Sequence, residues 1–300
     1  MKSLTYYVML LILKLKGVKQ EFSKTPINYS KLRKEDVRTP KNSLFKLHQV
    51  KRFVEAKTSI TEIIPASATK NLIIYCHGGA FISGPSKHHW DAIREIATKT
   101  NAIVWMIDYP KAPENKIDVI CENIDKVYSK ALEKYIANTI TLIGDSVGGT
   151  LIISLVQRLV LEDIERPSKL VLISPVVDAT LSNPEIEKIE RIDPMLSKKG
   201  VLSAKQMCVD NNDLSNVRIS PINGSFEAFP NTLIFAAEND ITYPDQKIVI
   251  EKMKNSNTNL KVIIGDGMPH IWPILPIMKE AKNSLNKLIT WINTDTKPLN

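Results

Sequence analysis

Ile140-Thr141-Leu142-Ile143-Gly144-Asp145-Ser146-Val147-Gly148-Gly149 reads as a short apolar strand that turns abruptly into the helical segment Thr150–Leu161. G-x-S-x-G between a strand and a helix is the nucleophile elbow. Its serine takes strained dihedrals at the turn, and a side chain at either flanking glycine would clash with the adjoining strand or helix. The turn lifts Oγ above the sheet edge and sets it by a helix N-terminus, whose positive end favours a developing oxyanion.

Working outward, the runs Leu72–Tyr75, Ala102–Ile107, Lys169–Ile173, Thr232–Ala236 and Leu260–Ile264 are apolar at nearly every position, as Ile140–Ile143 is. Strands without alternation are expected where helices cover both sheet faces. Phe45–Val54 alternates like a half-buried strand, and Thr61–Ile64 can pair with it. Between the runs, 88–99, 116–135, 149–161, 245–253 and 279–292 carry three-to-four-residue apolar spacing. Strand alternating with helix predicts an α/β fold, a mainly parallel, doubly wound sheet of about eight strands. Residues 1–44 and 179–225 stand outside this rhythm and are expected to form a helical cap on a core of 45–178 and 226–300. Without a Gly/Ser linker, core and cap should make one body with a lid.

A second signal is His77-Gly78-Gly79-Ala80, which closes the strand Leu72–Tyr75. Acyl transfer passes through a tetrahedral oxyanion, and preorganised N–H donors to it are worth about 10²–10³ in rate apiece. The expected donors are the N–H groups of Gly79, Ala80 and Val147, with Gly78 a lesser candidate. The base follows from chain order. Of His48, His77, His88, His89 and His270, only His270 lies beyond Ser146, in a loop after the last sheet-like run. His77 reads as a brace for the oxyanion loop, His48 as a strand-face residue, and His88 and His89 as solvent-exposed or pocket-lining. The acid should end a strand between serine and histidine. Asp240 fits best and Asp178 is the competitor, whereas Asp245 reads as a helix cap, Asp266 lies too close to His270 along the loop, and Asp145 reads as a structural partner of the serine.

Composition narrows the classes further. The 300 residues carry a net charge of +8 from 40 basic and 32 acidic side chains, but the lysines are scattered. No basic run is interleaved with aromatics, which argues against a nucleic-acid partner and leaves weak attraction to an anionic membrane surface. Three cysteines, Cys76, Cys121 and Cys208, show no CxxC spacing and fit a reducing cytoplasm, with neither a disulfide framework nor a zinc site. Tyr6–Leu13 is apolar and flanked by Lys2, Lys14 and Lys16. It is short of the ~20 residues that cross a bilayer. Three readings stay open for it: a helix packed on the body, an interfacial membrane helix, or an uncleaved export signal.

Together these motifs resemble the hormone-sensitive-lipase-like branch of α/β-hydrolases, the bacterial family IV esterases. HGGAF at 77–81 is similar to the family's HGGGF, with Ala80 in place of the third glycine, where only the backbone N–H is used. GDSVGG at 144–149 is similar to GDSAGG, Asp108–Glu114 to DYRLAPE with its central residues replaced, and Ser174–Asp178 to SPWxD. The family's acid segment matches 240–245 and its histidine loop Pro269-His270. The aspartate of SPWxD is not the family's triad acid, which lowers Asp178 further. The resemblance spans about residues 70–275 and implies hydrolysis of short- to medium-chain acyl esters by a Ser146–Asp240–His270 triad, with no metal and no cofactor. It also implies a cap made from the N-terminal segment and a late insertion. Expected partners reduce to a small-molecule acyl ester, with a homodimer left open. Rival readings are an amidase, peptidase or lactonase on the same fold, a lipase at a membrane surface, and a ligand-binding receptor on a dead hydrolase fold.

Overall fold

A computed structural model describes residues 1–41 and 45–294. Eight strands form one sheet: β1 (His48–Glu55), β2 (Thr58–Pro65), β3 (Leu72–Cys76), β4 (Ile103–Asp108), β5 (Ile140–Asp145), β6 (Lys169–Ile173), β7 (Asn231–Asn239) and β8 (Leu260–Pro269). Their order is β1-β2-β4-β3-β5-β6-β7-β8, antiparallel at β1/β2 and β2/β4 and parallel from β4 onward. Each apolar run of the sequence became a strand, because alternate residues serve two different cores. Ile73, Tyr75 and Ile143 pack on one face, and Leu72, Ile74 and Leu142 on the other. The edge strand β1 has no fully buried residue, which is why it alternates in sequence.

The helices are α1 (Leu4–Leu15), α2 (Val18–Glu21), α3 (Tyr29–Leu32), α4 (Lys87–Thr100), α5 (Ile117–Leu132), α6 (Val147–Leu161), α7 (Ile186–Glu190), α8 (Lys198–Cys208), α9 (Tyr243–Asn255) and α10 (Lys279–Asn293). Residues of α5, α6 and α9 belong to one core, and residues of α4 and α10 to the other. The parallel strands β3 to β7 therefore lie between two helical layers, the arrangement that buries unbroken apolar runs, whereas β8 is the second edge strand, with Leu260–Ile263 only partly buried or exposed and Ile264 exposed.

Helices α1 to α3, and α7 with α8, come from the two segments outside the strand–helix rhythm. The boundary placed at residue 44 falls among residues 42–44, outside the described residues, as do residues 295–300 at the end of the core segment. The two segments touch. Ile27 N–H donates to Ser203 Oγ at 3.0 Å, and Lys19 Nζ donates to the Asp193 carbonyl at 2.7 Å. The N-terminal segment also reaches the loops after β3 and β4, where Arg33 donates to the Ile82 and Ala112 carbonyls, 2.7 Å each, and pairs with Glu114.

Helix α1 packs on the body through Tyr6, Met9 and Leu13, spaced along one helical face. Ser3 donates to Glu280 at the start of α10, and the Tyr6 hydroxyl to the Gly267 carbonyl at 2.9 Å. Its opposite face leaves Leu4, Tyr7, Leu11 and Leu15 exposed. Among the described residues no helix is long and apolar enough to cross a membrane.

Candidate active site

The carboxyl ends of neighbouring parallel strands meet at one edge, so whatever follows them converges. Cys76 of β3 pairs with Gly144 of β5, and Asp145 with Ile173 of β6. Ser146 is the next residue after β5, at φ 53° and ψ −122°, held by its N–H to the Ile173 carbonyl at 2.9 Å. A Cβ on Gly144 would lie 2.6 Å from the Gly148 carbonyl carbon, and one on Gly148 would lie 2.0 Å from the Cys76 carbonyl oxygen. The two glycines are therefore required by the close approach of strand, turn and helix.

On the other side of the sheet centre, β7 and β8 shift register so that Asn239 pairs with Pro269. The residues that follow, Asp240 and His270, are consequently side by side. His270 Nδ1 lies 2.6 Å from Asp240 Oδ2, and His270 Nε2 lies 2.9 Å from Ser146 Oγ. The far oxygen of Asp240 accepts the Thr242 N–H at 2.9 Å and its hydroxyl at 2.8 Å, which fixes the carboxylate plane. Ser174 Oγ accepts the Ile271 N–H at 3.1 Å and holds the histidine loop. Asp240 and His270 are buried and Ser146 nearly so. Burial pulls the His270 pKa down, but the Asp240 carboxylate, helped by Asp193 and Asp145, outweighs it, and the net shift is upward from 6.5.

The loop after β3 faces the elbow. A Cβ on Gly78 would be 2.9 Å from that of Ser146. Gly79, Ala80 and Phe81 all have positive φ, 115°, 55° and 65°, so the backbone here leaves the extended course of β3. Neither the Gly79 nor the Ala80 amide finds an acceptor among the described residues. Val147 is the first residue of α6, where an N–H has no intrahelical acceptor. His77 is buried, donates from Nδ1 to the Gly78 carbonyl at 2.5 Å and stacks on Tyr109 at 4.5 Å, so its ring holds the loop from beneath.

The competing acids are engaged elsewhere. Asp178 accepts from the Thr180 N–H at 2.8 Å and the Thr180 hydroxyl at 2.7 Å. Asp245 lies in the first turn of α9 but accepts the Asn183 amide at 2.9 Å, so it ties the helix to residues 179–225 instead of capping it. Asp266 pairs with Lys2. His48 is on β1 with Nε2 3.0 Å from the Thr98 hydroxyl.

His89 corrects the expectation of an exposed or pocket-lining side chain. It is buried, receives the Ser86 N–H on Nδ1 at 2.9 Å as part of the α4 capping box, and sets Nε2 3.3 Å from Asp145 Oδ2. Asp145 also accepts the Tyr75 hydroxyl at 3.0 Å. Burial alone would raise Asp145, yet His89, His88 and His77 outweigh it and hold its pKa at about 2. An ionised carboxylate thus lies directly beneath the elbow.

Two buried groups near the site had no motif to announce them. Asp193, just before Pro194, sends one oxygen to the Met195 and Leu196 N–H groups at 2.7 and 2.9 Å and the other to Ile241 N–H at 2.9 Å, beside Asp240. Lys205 lies on α8. Among the described residues no group of three or more His, Cys, Asp or Glu side chains is placed to hold a metal ion.

Residues 73–274 match the model of a family described as having the α/β-hydrolase fold. An esterase of Acinetobacter venetianus is 31% identical over 236 residues, covering 77% of this chain and 78% of that protein. A crystal structure titled a putative esterase from Staphylococcus aureus superposes with a TM-score of 0.79 at 26% identity, covering 97% of this chain and 93% of the other. An esterase from the bacterial hormone-sensitive lipase family reaches a TM-score of 0.87 at 21% identity over 98% of both chains.

Proposed function

The chain belongs to the α/β-hydrolase-fold family as a serine carboxylic-ester hydrolase, and from that premise we propose that it is of the hormone-sensitive-lipase-like branch, with Ser146, His270 and Asp240 as its catalytic triad. The observation that carries this reading is the continuous relay from Ser146 Oγ to His270 Nε2 at 2.9 Å and from His270 Nδ1 to Asp240 Oδ2 at 2.6 Å. His270 takes the Ser146 proton as Oγ attacks the ester carbonyl. The N–H groups of Gly79, Ala80 and Val147, with Gly78 beside them, receive the oxyanion. Protonated His270 returns its proton to the departing alcohol and leaves an acyl group on Ser146. Water, deprotonated by His270, then releases the acid. Asp240 holds the imidazole in the tautomer with the proton on Nδ1 and stabilises the imidazolium. Short- to medium-chain acyl esters are the substrates the resemblance supports, enclosed by a cap of residues 1–44 and 179–225. Three buried, unpaired cysteines support work in a reducing cytoplasm.

A fluorophosphonate probe tests the relay directly, because it reacts with a base-activated serine beside an oxyanion hole. Ser146→Ala should lose the label and about 10³-fold or more of the esterase rate. Full labelling of that variant would refute the assignment. One observation favours work at a lipid surface, namely the exposed apolar row of α1 beside Lys14 and Lys16. Co-sedimentation with anionic vesicles, with and without residues 1–16, tests that reading, and vesicle binding that survives the truncation would end it.

A further inference from the structure

Lys205 has no solvent exposure, and its Nζ has no hydrogen-bond partner among the described residues. An ammonium carries three donors, and buried polar groups are left unpaired only rarely. Nζ lies over the Phe81 ring, 4.3 Å from its centroid. Phe81 follows the Gly79–Ala80 donors on the loop after β3. Asp178, past the end of β6, is near enough to favour the charged form, but its Oδ1 is already taken by Thr180 and Ser220. Strands β3 and β6 flank β5 on either side. A group on α8 that is close to residues following both therefore lies on the side of the sheet's carboxyl edge, the edge at which Ser146 follows β5.

The cation is poorly supported there. Burial pulls its pKa down to about 7, with only partial compensation from Cys208 and Asp178. A methionine or leucine would fill the same space without the desolvation cost, so packing alone does not explain a lysine. What the position lacks is an anion, and the side chain is carried on the segment expected to wall the substrate site.

Resting on the serine-esterase reading above, we propose that Lys205 is a specificity-determining residue that binds a carboxylate carried by the ester substrate. The preferred substrates are then esters with a free carboxylate, on the acyl or the alcohol side, over neutral esters of the same length. The Phe81 face holds the ammonium beside the oxyanion donors, and the incoming carboxylate supplies the missing charge-assisted hydrogen bond.

The test uses the full chain. kcat/KM is measured for the 4-nitrophenyl monoesters of glutarate and adipate against the neutral valerate and hexanoate of matching length. A carboxylate on the alcohol side is tested with 4-acetoxybutanoate against its methyl amide. At least one anionic ester should be preferred, and Lys205→Met should lower that anionic-to-neutral ratio by about 10–100-fold, mainly through KM, with Lys205→Arg restoring part of it. A second measurement needs no variant: free glutarate should compete with neutral-ester hydrolysis where glutaramide does not. No preference in any pair, equal losses on charged and neutral esters, or no competition by glutarate overturns the inference. If neutral esters are still hydrolysed and Ser146 still labelled, the triad reading survives that result. If neither is seen, both readings fail.

Discussion

Gly148 in the elbow and Gly200 in α8 meet the same obstacle and differ in what stands behind it. A Cβ on Gly148 would come 2.0 Å from the Cys76 carbonyl oxygen, and one on Gly200 would come 1.8 Å from that of Phe22. Cys76 belongs to β3, paired on both sides in the middle of the sheet. Phe22 follows the four-residue helix α2, which is tied to residues 179–225 by side-chain bonds such as Lys19 to the Glu190 and Asp193 carbonyls. Below Ser146, then, position is fixed by backbone ladders. Above it, position is fixed by side chains reaching between segments distant in sequence. The first arrangement suits groups that must stay within a few tenths of an ångström of one geometry. The second suits a wall that can differ from one relative to the next.

The largest expected effect lies on the ladder side. Asp240→Asn should cost about 10²–10⁴ in kcat/KM, because the amide no longer fixes the histidine tautomer, while Asp178→Asn and Asp245→Asn should cost far less. If Asp178→Asn were the more damaging in a protein that still melts cooperatively, the assignment of the acid would be wrong.

The two glycines come next. Gly148→Ala forces a methyl into a strand that cannot move and should destabilise the protein by roughly 3 kcal/mol or more, with loss of the folded fraction. Gly200→Ala meets an oxygen on a movable segment and should cost nearer 1 kcal/mol, with the acyl-chain preference altered as residues 18–33 shift. Denaturant melts of both variants check the ranking. Equal destabilisation would mean that residues 18–33 are held as rigidly as the sheet.

The same division governs what could be read beforehand. The motifs at 77–81 and 144–149 were legible because close approach at the strand ends demands glycine, and 269–270 because this fold's topology places the histidine after the serine and the acid. Five of the six apolar runs were legible because both sheet faces are covered there; the sixth, Leu260–Ile264, lies on the edge strand β8 and is only partly buried. Strand ends were less so: β7 runs on to Asn239 and β8 to Pro269, past the apolar runs that announced them, because their ends are set by pairing and not by hydrophobicity. Helices α7 and α8 gave no usable signal in a polar, proline-punctuated stretch, since what orders them is contact with residues some 170 positions away, as between Ile27 and Ser203. His89 was misread because a histidine at a helix start looks solvated until Asp145 is found behind it. Asp193 and Lys205 have no local pattern at all, and only tertiary packing reveals that each is buried.

Asp193 gives the smallest expected effect and the finest probe of how the upper region acts on the lower. Its carboxyl joins the turn at Met195–Leu196 to the Ile241 N–H beside Asp240. Burial and the neighbouring Asp240 push its pKa up to about 7, and its charge contributes to raising that of His270. The base must be neutral to accept the serine proton, so a raised His270 pKa places the acid limb of kcat/KM above pH 6.5, with activity lost as pH falls through it. Removing the Asp193 charge removes one reason for His270 to hold its proton. Asp193→Asn should therefore move the limb to lower pH, by about one unit or less, with the plateau above it lowered only modestly. A substitution that merely loosened the turn at Met195–Leu196 would lower the plateau and leave the limb where it was. An unmoved limb, or one displaced to higher pH, would show that Asp193 holds the loop in place without setting the charge of the base.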